Sequence, residues 1–139
     1  VQLFTDVDQA MASLSLTKNA PLSAEVVEDV IIRLEEQQRH YLLTYYPRFG
    51  ERPEHWLLQL PEDVGQYMPK EPLAPTVEAA LTKWLLQRWV VVDGDMAITL
   101  AEGLCALGLS YLCLYHPVSP QEEAHFEFRK PEYQGALLF

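Results

Sequence analysis

VEAALTKWLLQRWVVVDGDMAITLAEGLCAL, residues 77 to 107, is the stretch on which the fold class turns. Its first part carries Val77, Leu81, Trp84, Leu85 and the stem of Arg88 on one stripe, the spacing of an amphipathic helix that we place from Thr76 to Trp89. Directly after it, Trp89-Val90-Val91-Val92-Asp93-Gly94-Asp95-Met96-Ala97-Ile98-Thr99 combines a β-branched run, an Asp-Gly pair and a second short run, which predicts a β-hairpin. Thr99 with Glu102 fits a capping box, and Leu100 to Tyr115 then reads as a further helix, apolar on nearly every side.

Working outward, Ser23 offers an N-terminal cap to a helix with Glu25, Glu28 and Asp29 in its first turns. Val27, Val30, Ile31, Leu34, Tyr41, Leu42 and Tyr45 follow, mostly at helical spacing, and Pro47 closes the helix. Upstream, Val1 to Leu16 fits a short helix or a packed arm. Downstream, His55 to Leu60 fits an extended segment or a helical turn, and Pro61-Glu62-Asp63 opens a helix through Met68. His125 to Arg129 alternates like a strand, and Ser119-Pro120-Gln121-Glu122 repeats the capping pattern. No internal repeat is legible. The expectation is one domain over 1–139, with an N-terminal arm (1–22), a core (23–115) and a C-terminal extension (116–139).

The balance of residues excludes several functions. Apolar residues make up 49% of the 139, enough for a folded core. Twenty acidic against ten basic residues give a net charge of -10, which repels phosphate backbones and disfavours nucleic acid. The opening residues lack the basic and apolar regions of a secretory signal, so an intracellular place, cytoplasmic or nuclear, is expected. The apolar stretch from Gly103 to Tyr115 is shorter than the roughly 20 residues that span a bilayer, so no membrane is expected. Cys105 and Cys113, placed in one helix, would lie about 12 Å apart at 1.5 Å per residue and could not bridge.

Helix, extended segment, helix, stiff turn, helix, hairpin, helix is an element order that resembles the winged-helix superfamily over residues 61 to 107. The "WVVVDGD" and "AITLAEG" stretches are similar in pattern to the winged-helix subunits that bind kleisins in SMC complexes. The resemblance implies a mainly α fold with a small β-hairpin, winged-helix-like, with extra N-terminal and C-terminal elements. It does not bring a DNA-reading face with it. The exposed positions of the third helix are Glu78, Ala79, Thr82, Lys83, Leu86 and Gln87, and two aspartates would stand at the wing tip.

No side-chain pattern announces chemistry. His40, His55, His116 and His125 lack ligand spacing among themselves or with the cysteines, so no metal and no cofactor is expected. Glu62 with Asp63, and Asp93 with Asp95, are explained by helix-start and turn preferences, and no phosphate loop or nucleophile elbow is present. The expected function is a non-catalytic protein–protein interaction or scaffolding subunit, a dimer or part of a larger complex. Its interface residues are expected to be Tyr45, Tyr46, Trp56, Leu109, Leu112 and Phe139. The alternative is a sequence-specific DNA-binding regulator using Thr82, Lys83, Gln87 and Arg88.

Overall fold

A computed structural model describes residues 3–60, 73–86, 90–118 and 123–130. Its elements run α1 (Val7–Thr17), β1 (Asn19–Leu22), α2 (Val27–Glu36), β2 (Tyr41–Tyr46), β3 (His55–Gln59), α3 (Val77–Leu85), β4 (Val90–Val92), α4 (Gly94–Ala106), β5 (Tyr111–His116) and β6 (His125–Arg129). The six strands form one antiparallel sheet in the order β1-β3-β2-β5-β6-β4. Strand alternation sends Ala20, Leu22, Tyr41, Leu43, Tyr45, Leu58 and their counterparts in β4 to β6 to one face, where they share a core with Ala10, Leu14, Val30, Leu34, Ala80, Trp84, Leu100 and Leu104 of the four helices.

This α/β architecture overturns the expectation of a mainly α, winged-helix-like domain, and the reason lies in a few residues. Asp93-Gly94 is not a hairpin turn. The Asp93 carboxylate accepts the Met96 backbone N–H at 2.8 Å, so the same residues cap the start of α4. Val90–Val92 therefore has no hairpin partner and pairs instead with β6. Thr99 lies inside α4 with its hydroxyl directed at the Asp95 carbonyl, not at a cap. The helix expected to run on to Tyr115 ends at Leu107, and Cys105 and Cys113 fall in different elements, α4 and β5. In the same way α2 stops at Gln37, and Tyr41 to Tyr46, expected to be helical, is a strand. Ser23 does not cap α2 through its side chain; its carbonyl takes the Val26 and Val27 N–H groups. The extended readings of His55 to Leu60 and His125 to Arg129 do form β3 and β6. The expected helix from Pro61 to Met68 and the capping pattern at Ser119 lie outside the described residues.

The chain is built twice. Residues 3–60 and 73–130 have the same element order, α-β-α-β-β, and correspond at a constant offset of 70 residues: Leu34 to Leu104, Tyr41 to Tyr111, Tyr45 to Tyr115, His55 to His125. The helix starts match, since Asp6 caps the Gln9 N–H and Thr76 caps the Ala79 N–H. The helix ends match bond for bond. Gln37, Gln38 and Arg39 donate to the carbonyls of Arg33, Glu35 and Leu34, while Leu107, Gly108 and Leu109 donate to those of Gly103, Cys105 and Leu104. An approximate two-fold axis passes through the Leu43–Cys113 pair at the centre of the sheet. On either side of it Tyr41 stacks on Tyr115 at 5.2 Å and 26°, and Tyr45 on Tyr111 at 5.5 Å and 27°. The repeat escapes the sequence because few residues are identical; what recurs is burial and hydrogen bonding.

Gly108 and Gln38 hold the same left-handed helix-terminal position, at φ 67° and 53°. Glycine adopts it freely, whereas a side chain there is strained. Gln38→Gly is expected to raise stability by about 0.5–1 kcal/mol and Gly108→Gln to lower it by about 1 kcal/mol, read from urea unfolding midpoints.

Candidate functional site

The interface residues expected from sequence are scattered by the fold. Tyr45 is 1% exposed, part of the core, with its hydroxyl 2.7 Å from Glu54 Oε2. Trp56 and Leu109 are half-buried and pack against that same core. Tyr46 and Leu112 project from the opposite face of the sheet, Tyr46 stacked on His55 at 5.1 Å. Phe139 lies outside the described residues, as do Gln87 and Arg88 of the DNA reading. Thr82 is exposed on α3 with its hydroxyl donating to the Glu78 carbonyl, and Lys83 is half-buried.

The duplication supplies an internal control for the surface. Where two equivalent positions share one backbone, a residue type found in only one half is not demanded by the fold. On the helix layer of the second half, Leu85, Ile98 and Leu107 are 53%, 61% and 66% exposed. Their first-half equivalents are Ser15, Glu28 and Gln37, all exposed and polar. Ile32 against Glu102 runs the other way. Leu86 and its equivalent Leu16 are both exposed.

The sheet face away from the helices is also asymmetric. His40 precedes β2, His116 ends β5 and His125 begins β6, so three imidazoles stand in a row across adjacent strands. His116 stacks on His125 at 4.7 Å and meets the edge of His40 at 5.4 Å. Glu127, two residues along β6 from His125, brings Oε1 to 3.4 Å from His116 Nε2. Among the described residues, His116, His125 and Glu127 form a group that could hold a metal ion, one atom from each lying within 4.8 Å of the others. The corresponding first-half residues are Tyr46, His55 and Leu57, and Ser110 answers to His40. Sequence reasoning missed this cluster because the segment leading to His116 reads as helix; only the pairing of β5 with β6 and with β2 sets His116 beside His125 and Glu127 and brings in the distant His40.

Burial holds the His40 imidazole below its ordinary range, with His116 and His125 adding to the effect. Burial also pushes the thiols of Cys113 and Cys105 up, which makes both poor nucleophiles at neutral pH. No described helix is long and apolar enough to cross a membrane. Comparison with family models, curated proteins and solved structures finds no match for the chain.

Proposed function

We propose that the protein acts as a non-catalytic binding subunit, self-associating through the α3–α4 helix layer of its second half. The observation that carries this is the contrast of Leu85, Ile98 and Leu107 with Ser15, Glu28 and Gln37 at the same positions of the same fold. Exposed apolar side chains that folding does not need are best explained by a partner that covers them. A second copy of the chain is the partner to test first. The two free thiols suit a reducing, intracellular setting, and the net charge of -10 favours protein over nucleic acid as the bound molecule.

Ile98→Glu combined with Leu107→Gln gives both positions their first-half residues, so folding is expected to survive. Losing two apolar side chains of about 1–3 kcal/mol each from an interface should weaken association by at least tenfold. Light scattering should then show a dimer for the natural chain and a monomer for the double variant. A natural chain that is monomeric at micromolar concentration, or a variant that remains dimeric, would overturn the proposal.

A further inference from the structure

We propose that the protein binds a zinc ion between His116, His125 and Glu127, on the face of the sheet opposite the helices. The argument begins with burial. His116 and Glu127 are 2% and 1% exposed, yet both imidazole nitrogens of His116 and Oε2 of Glu127 lack a hydrogen-bond partner. A carboxylate and an imidazole withdrawn from water with only a 3.4 Å contact to each other, and no hydrogen bond, are costly, and natural folds retain such groups where something else satisfies them. Folding is not the reason for their presence, because the first half builds the same strands with Tyr46 and Leu57 at these positions.

The donor set fits a zinc ion, with one pair already at zinc spacing and all three ligand atoms within 4.8 Å of one another. Two ligands held about 2.0–2.1 Å from a tetrahedral zinc stand roughly 3.4 Å apart, and His116 Nε2 and Glu127 Oε1 are 3.4 Å apart. His125 completes the set. Its Nδ1 lies 3.0 Å from the Glu123 carbonyl, which can only accept, so Nδ1 carries the proton and Nε2 carries the lone pair. The equivalent bond from His55 Nδ1 to the Pro53 carbonyl shows that this orientation is built into the strand entry of both halves, with only the second half adding further ligands. Two imidazoles and a carboxylate are a borderline-soft, singly anionic set that suits zinc better than calcium or magnesium, which take oxygen ligands. His125 and His40 are partly exposed, which leaves an approach from solvent on that side.

The test is titration of the chelator-stripped full chain with cobalt(II), read by its visible absorption, followed by displacement with zinc. One equivalent of cobalt should bind with a tetrahedral spectrum and be displaced by one equivalent of zinc. Glu127→Gln keeps the side-chain shape without the anionic ligand, and His116→Tyr installs the first-half residue; each should weaken zinc binding by at least a hundredfold, more than loss of an outer-shell contact. His55→Ala, at the equivalent position in the first half, should bind as the natural chain does. Absence of one-to-one binding by the folded natural chain, or undiminished binding by both ligand variants, would overturn the proposal.

Discussion

Trp84→Ala is expected to cost about 3–5 kcal/mol, a large share of the roughly 5–15 kcal/mol that holds a typical domain folded. Trp84 is fully buried in the last turn of α3, its ring packed into the core and Lys130 Nζ over it at 5.8 Å from the ring centre. Truncation removes the contacts of two fused rings and leaves a cavity that the sheet below and the helix itself cannot close by small shifts. The equivalent residue of α1 is Leu14, also buried. Trp84→Leu, which borrows that smaller side chain, should cost less, because it leaves a smaller void and removes the indole N–H that is buried without a partner. Urea unfolding of the three proteins checks the order: natural chain, then Leu, then Ala. A loss below about 1 kcal/mol for Trp84→Ala would mean that the site collapses freely, and that the second half is packed less tightly than the burial of its core implies.

The second large effect has the opposite sign. Replacing His116 by Tyr and Glu127 by Leu together should raise the stability of the metal-free protein by about 1–3 kcal/mol, because a buried ionisable pair is often less stabilising than apolar side chains of similar volume. The first half shows that the backbone accepts this exchange: Tyr46 stacks on His55 much as His116 stacks on His125. Urea unfolding in the presence of a chelator measures the gain, and zinc should stabilise the natural chain while leaving the double variant unmoved. A double variant less stable than the natural chain would show that His116 and Glu127 already support the fold without an ion.

Single side chains account for the gap between the expected and observed folds. The helix from Ser23 was expected to run to Pro47 because Tyr41, Leu42 and Tyr45 extend its apolar series. Gln38 at φ 53° breaks it, and a glutamine gives no sign of a left-handed turn. Gly108 does give that sign, but the apolar run around it reads equally as helix. Asp93-Gly94 serves a turn or a cap equally well, and only the pairing of β4 with β6 decides between them.

The sequence established an acidic chain with a core, an amphipathic α3, the alternation of β6 and a helix over Leu100 to Ala106, though it left His55 to Leu60 open between strand and helical turn and ran that helix on to Tyr115. Those features rest on composition and on local periodicity, which neighbouring residues carry. The tertiary structure alone decided the central Tyr41–Tyr115 and Tyr45–Tyr111 pairs, the duplication about Leu43 and Cys113, and the meeting of His40, His116, His125 and Glu127. Each depends on which strand lies beside which, a choice made by the joint burial of residues far apart in the chain.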